Sequence, residues 1–118
     1  MNPYLKMQVE TATPVERVVL LYEKLLLLLK DALSALEEGD VQRRINSIAK
    51  AERIVQVLNG SLDMEAGGDV ARSLREFYQA LLSGMFAVIR EGDREILKNL
   101  IMMVKEVKEA WAEVSSKV

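Results

Sequence analysis

Residues 14–38 read PVERVVLLYEKLLLLLKDALSALEE, and the period of their apolar side chains decides the fold. Taken as heptads from Val15, the a and d positions are Val15, Val18, Tyr22, Leu25, Leu29, Ala32 and Leu36, alternating steps of 3 and 4. That spacing keeps one helical face apolar along its whole length. The flanking positions are apolar as well, with Val19, Leu26 and Leu33 on one side and Leu21, Leu28 and Ala35 on the other. Even the outermost f positions carry Leu20 and Leu27, so that only b and c are polar. A helix wet along so thin a strip is either buried among several others or partly covered by something else. The remainder of the chain is expected to wrap it.

The signals at both ends of this stretch are strong. Thr13-Pro14-Val15-Glu16 supplies an N-cap, a proline at the first helical position and a glutamate at the third, a capping box. Gly39 is expected as a left-handed stop and Asp40 as the cap of the next helix. The second helix is predicted over 41–59. Its stripe is Val41, Ile48, Ala51, Val55 and Leu58, widened by Ile45, Ile54 and Val57, with Asn59-Gly60 as the stop. The connection from Ser61 to Gly68 carries Asp63 and Glu65, with Asp69 following. It lacks the alternating ligand positions of a calcium loop and reads as a solvated turn. The third helix, over 70–90 and capped by Asp69, has Val70, Leu74, Phe77, Leu81, Gly84 and Val88 as core positions. Gly84 costs roughly 1 kcal/mol relative to Ala inside a helix and points to close approach of a neighbouring backbone. Glu91-Gly92-Asp93 then repeats the Glu-Gly-Asp of residues 38–40. The last helix, over 94–116, has Leu97, Leu100, Val104, Val107, Trp111 and Val114 at 3/4 spacing. Four amphipathic helices joined by short turns predict an all-α, antiparallel up-down four-helix bundle in one domain. Residues 1–13, with Tyr4, Leu5, Met7 and Val9, are too short to hold a helix alone. They form either a frayed arm or a docked flap.

Composition narrows the function. Of the 118 residues half are apolar and net charge is −2, without a basic block, which disfavours nucleic acid as a partner. Cysteine and histidine are both absent, removing thiol chemistry, the commonest metal ligand and the commonest general base. A di-iron bundle would need Glu-x-x-His pairs, and no phosphate loop or nucleophile motif is present. Neither an enzyme nor a cofactor or metal site is expected. The longest apolar run, Leu25–Leu29, is far short of the ~20 residues that span a bilayer, and residues 1–10 lack the form of a signal peptide. A soluble, unexported domain is the expectation. Tyr22, Tyr78 and Trp111 read as core or rim aromatics. Met7, Met64, Met85, Met102 and Met103 fill gaps or line a surface that repacks around a partner. Surplus apolar surface on a small bundle points to a protein-binding module.

Several motifs, in order along the chain, resemble the flagellar export chaperone family FliS. Gln8-Val9 followed by Thr11-Ala12-Thr13-Pro14 and Glu16 is similar to the family's Q-V-x-T-A-S-P-x-E start, and Leu21-Tyr22 to its leucine-tyrosine pair. Lys50-Ala51, Ile54 and Leu58-Asn59-x-Ser61-Leu62-Asp63-x-Glu65-x-Gly67-Gly68 resemble its most recognisable segment. Leu74, Tyr78 and Trp111 also fall on family positions. Glu23-Lys24 stands where the family usually has Asp-Gly. Counting back from Thr13-Pro14 puts Tyr4 on the family's second tyrosine, so the N-terminus reads as a few residues short. The resemblance implies a cytoplasmic bundle that holds the disordered C-terminal segment of flagellin in apolar grooves, prevents premature polymerisation and aids export. A component of the export gate is a further implied partner. The contacts are then expected at Tyr4 and Met7 of the flap, at Leu20 and Leu27 on helix 1, and at Val57, Leu58, Leu62, Leu74, Tyr78 and Leu82. The protein would be a monomer or weak homo-oligomer. The alternative is a structural bundle that buries its surplus apolar surface by self-association.

Overall fold

A computed structural model describes residues 13–117, and Tyr4 and Met7 lie outside them. Among the described residues the chain forms α1 (Pro14–Glu38), α2 (Val41–Gly60), α3 (Met64–Glu91) and α4 (Arg94–Ser116). Helix α1 packs against α2 and α4, and α3 closes the ring against the same two helices, its seam with α4 being the thinnest. Connections of two or three residues force neighbours that pack on each other to run antiparallel. The result is the all-α four-helix bundle expected from the spacing.

The helix ends explain where each element starts. Thr13 Oγ1 accepts the Glu16 amide at 3.2 Å and donates to the Glu16 carboxylate at 3.1 Å, so Thr13 is the N-cap as expected, with the Glu16 carboxylate held on its hydroxyl instead of its amide. Gly39 and Gly92 both adopt left-handed φ, 72° and 65°, and return the chain for the next helix. Asp40 accepts the Arg43 amide, and Asp93 accepts the amides of Glu95 and Ile96.

Helix α3 departs from expectation. Its cap is Asp63, not Asp69: the Asp63 carboxylate accepts the Glu65 and Ala66 amides at 3.1 and 2.9 Å and nucleates a helical turn over Met64–Gly67. Gly68, at φ 52° and ψ −128°, breaks that turn from the rest of α3. Asp69 instead pairs with Arg72 within the first turn after the break. Gly84 differs in detail as well. What approaches it is the side chain of Leu100 on α4, with Cδ2 2.7 Å from where a Cβ would stand, not a neighbouring backbone.

The core is filled by Tyr22, Leu25 and Leu29 of α1, Ile48 and Val55 of α2, Leu81 and Met85 of α3, and Leu97 and Val104 of α4, all essentially without exposure. Burial is not uniform along the stripes. On α4 it passes from buried Leu97, Leu100 and Val104, through half-buried Val107 and Trp111, to exposed Val114. On α3 it runs the other way, from exposed Val70 through half-buried Leu74 and Phe77 to buried Leu81 and Val88. Val15 and Val18 at the start of α1 are half-buried too. Val70 and Val114, core by spacing, are therefore exposed: beyond the last shared turn no neighbouring helix among the described residues covers the stripe. Val41, also core by spacing, is exposed at the opposite end, in the first turn of α2. The bundle is closed at one end and open at the other.

Candidate functional site

The closed end is polar and cross-linked. Arg43, from the first turn of α2, donates to Asp31 of α1 through Nε and Nη2 at 3.1 and 2.9 Å and also pairs with Glu38. Ser47 donates to the second Asp31 oxygen. These donors, Arg43 first and Ser47 next, hold the Asp31 carboxyl below the usual carboxylate range. Arg94 of α4 pairs with Glu37 of α1 at 2.9 Å, and Arg44 of α2 donates to the Ile89 carbonyl of α3 at 3.3 Å. All four helices meet here through charged hydrogen bonds.

The open end carries a cleft of about 470 Å³. It lies where the start of α1, the end of α2, the start of α3 and the end of α4 converge. Pro14, Arg17, Val18 and Leu21 line it from α1. Leu58, Ser61 and Leu62 come from the end of α2 and its turn, Leu74 and Tyr78 from α3, and Trp111 from α4. Ser61 turns its hydroxyl back onto the Val57 carbonyl at 2.7 Å, leaving the wall it belongs to apolar. Leu74 also borders a second groove of about 410 Å³ along the α3–α4 seam, lined by Val70, Phe77 and Val107.

Beneath the cleft the Tyr22 and Tyr78 hydroxyls share a hydrogen bond of 2.7 Å, tying α1 to α3 across the bundle. The Trp111 ring stands 6.5 Å from that of Tyr22 and brings in α4. Burial raises the Tyr22 hydroxyl above its ordinary pKa, with hydrogen bonds to Tyr78 and Trp111 acting the other way. Tyr78 is pushed far above the usual phenol value, chiefly by burial and then by Tyr22. Both therefore stay protonated at neutral pH. They act as a fixed polar brace under an apolar floor, not as acids.

The residues expected to contact a client are divided by this geometry. Leu58, Leu62, Leu74 and Tyr78 are brought together in the cleft, although Leu58 and Tyr78 are themselves buried, at 4% and 1% exposure. Leu82 is half-buried against the core and lies outside the cleft lining. Val57 and Leu27 are exposed elsewhere on the surface. Leu20 borders a separate shallow pocket of about 130 Å³ with Glu16, Val19, Glu23 and Ser115. The cleft also recruits Val18, Leu21 and Trp111, which heptad spacing assigns to the core or its flank. The one signal that separates them is position: each lies within the last two turns of its helix at the same end of the bundle.

A family model described as flagellar protein FliS matches residues 1–118. Among curated proteins, the chain is 28% identical to the flagellar secretion chaperone FliS of Bacillus subtilis, over 93% of this chain and 84% of that protein. It is 27% identical to the Salmonella typhimurium protein of the same name, over 92% and 82%. The corresponding figures for the Vibrio cholerae protein are 26% identity over 91% and 79%. No helix among the described residues is long and apolar enough to cross a membrane.

Proposed function

Because the chain belongs to the FliS family of flagellar proteins, we propose that it is a cytoplasmic export chaperone whose client is the disordered C-terminal segment of flagellin. The observation that carries this reading is the apolar cleft at the open end of the bundle, about 470 Å³, where the core stripes of α3 and α4 run out into exposed Val70 and Val114 and that of α1 is only half-buried. A flagellin segment with amphipathic potential lays its apolar face against Val18, Leu62, Leu74 and Trp111 and becomes helical there. Covering that face keeps flagellin from polymerising before export, and an export-gate component then receives the complex. The work is done by burial, and no catalytic group takes part. Leu27 and Met102, at 65% and 68% exposure, favour a second reading in which copies of the chain associate through these side chains instead.

The test is calorimetry at several temperatures with a flagellin C-terminal peptide, alongside circular dichroism of the mixture against the sum of its parts. One-to-one binding with a gain in helix and a negative heat-capacity change is expected, because such coupled folding typically buries ~1,000–3,000 Å². Salt dependence should be weak, since the proposed contacts are apolar. Absence of binding at micromolar concentration, or a tight dimer that Leu27→Glu or Met102→Glu dissociates, overturns the chaperone reading in favour of self-association.

A further inference from the structure

We propose that the outer face shared by α1 and α2 is a second docking surface, separate from the cleft, which takes an acidic amphipathic helix of another protein. Two independent features coincide on it, exposed apolar side chains and a local excess of positive charge. Leu27 of α1 and Val57 of α2 are 65% and 57% exposed, and half-buried Ile54 adds apolar surface between them. The cations are Lys24, Lys50 and Arg53, all exposed and none of them in an ion pair among the described residues.

Register brings these residues together. Asp31 of α1 accepts Ser47 and Arg43 of α2, which fixes how the two antiparallel helices pair. Lys50, about one turn beyond Ser47, is close enough to act on the Asp31 carboxylate. About one turn back along α1 from Asp31 stands Leu27, with Lys24 a further turn back on the same face. Along α2, Lys50, Ile54 and Val57 share the face turned to α1, and Arg53 lies on its outer edge. An apolar seam therefore runs between the two helices with cations on both sides.

Charge is spread unevenly over the chain. Helix α2 carries Arg43, Arg44, Lys50 and Arg53 against Glu52 alone, a net of +3 in a chain of net −2. The acids of α1 do not offset it here. Asp31 is engaged by Arg43 and Ser47, Glu38 pairs with Arg43, and Glu23 borders the pocket that includes Ser115 of α4.

Two kinds of occupant fit this face poorly. A second copy meeting it isologously would set the cations against themselves. A membrane-surface face typically adds Trp or Phe, and no aromatic belongs to this one. An acidic helix with apolar residues at i, i+3 or i+4, and i+7 answers both features at once. None of Lys24, Leu27, Lys50, Arg53 and Val57 lines the cleft, so both surfaces can be occupied together. The face is defined without the cleft, and the inference does not depend on flagellin being the client.

The probe is a labelled peptide of about 18 residues, long enough to hold a helix, with Leu at helical spacing and Glu elsewhere. Its counterpart has Lys in place of every Glu. Fluorescence anisotropy with the full-length chain measures binding, and amide chemical shifts locate it. The Glu peptide should bind, shift amides at 24–27 and 50–57, and keep its affinity when flagellin C-terminal peptide is added; the Lys peptide should not bind. Raising salt from about 0.05 to about 0.5 M should weaken binding roughly tenfold. Leu27→Ala should also weaken it roughly tenfold, and Lys50→Glu/Arg53→Glu more, with the circular dichroism of each variant unchanged because these side chains are exposed. Equal binding of the two peptides, or shifts at Leu62, Leu74 and Trp111 instead, overturns the proposal. So does a free chain that is a dimer until Leu27→Glu is introduced, because Leu27 is then already covered. Capture of the chain by phosphatidylglycerol vesicles, lost in Lys50→Glu/Arg53→Glu while the Glu peptide fails to bind, assigns the face to a membrane and overturns it as well.

Discussion

Replacing Tyr22 and Tyr78 by phenylalanine, singly and together, probes the brace beneath the cleft. The two hydroxyls are 2.7 Å apart, with Tyr22 at 0% and Tyr78 at 1% exposure, so neither can turn to water when the other is removed. Each single substitution deletes one hydrogen bond and leaves a buried hydroxyl unpaired, a penalty of about 1–3 kcal/mol. Tyr22→Phe should be the worse of the two, because Trp111 still offers Tyr22 a partner when Tyr78 is changed, whereas Tyr78 has no such second partner among the described residues. In the double variant neither hydroxyl is left unpaired, although the Trp111 N–H loses its Tyr22 partner, and the two phenyl rings keep the apolar contacts. Its loss should therefore be about that of one single variant, with a coupling of ~1–2 kcal/mol. Urea unfolding followed by circular dichroism reads these differences as shifts in midpoint at constant slope. For a chain of this length a single-variant loss of ~2 kcal/mol corresponds to a fall in Tm of about 8 °C. Losses in the two singles that add to within ~0.5 kcal/mol in the double would refute the brace, as would singles indistinguishable from the unsubstituted chain.

The same pair predicts alkaline sensitivity. Both tyrosines have raised pKa in the folded chain, so stability is intact below about pH 10, where unfolded tyrosine titrates, and falls as pH rises above it. The slope should approach ~1.4 kcal/mol per pH unit for each tyrosine that stays protonated, and a pH series of urea midpoints measures it. In the Tyr22→Phe/Tyr78→Phe variant that slope should shrink. Asp93→Ala should cost about 1 kcal/mol of global stability because it uncaps α4, whose first turn packs beside α1. Asp63→Ala removes a cap of equal geometry but should leave the urea midpoint nearly unchanged and raise amide hydrogen exchange at 65–67 only.

Most of the bundle was legible because its signals are local and chemically strong. The start of α1 needs only Thr13, Pro14 and Glu16, and the stops at Gly39 and Gly92 need only a residue that tolerates positive φ. Asp69 is not the cap because Asp63, six residues earlier, caps a helical turn that Gly68 kinks, which leaves the Asp69 carboxylate to pair with Arg72. The cleft was only half legible. Heptad position gives the direction in which a side chain points, whereas burial depends on whether a neighbouring helix extends as far. Val114 and Leu100, two heptads apart, occupy equivalent positions of one stripe on α4, yet the first is 48% exposed and the second 3%. Leu27 shows the converse, an apolar residue on the outermost face that no helix among the described residues reaches.

The contrast between the two ends has a physical consequence for a binding protein of this size. Charged hydrogen bonds between helices, as in Asp31–Arg43 and Glu37–Arg94, fix register and orientation at the closed end through directional contacts. Apolar contacts at the open end are short-ranged and non-directional, so the helices there can shift slightly without breaking any particular bond. A site that must accept a segment folding on its surface needs that tolerance, and it needs an anchor to keep the rest of the bundle from yielding with it. The Tyr22–Tyr78 bond stands at the boundary between the two regimes, the last directional link between α1 and α3 before the stripes run out. It limits how far the open end can spread, and so confines the adaptable surface to the turns at the cleft.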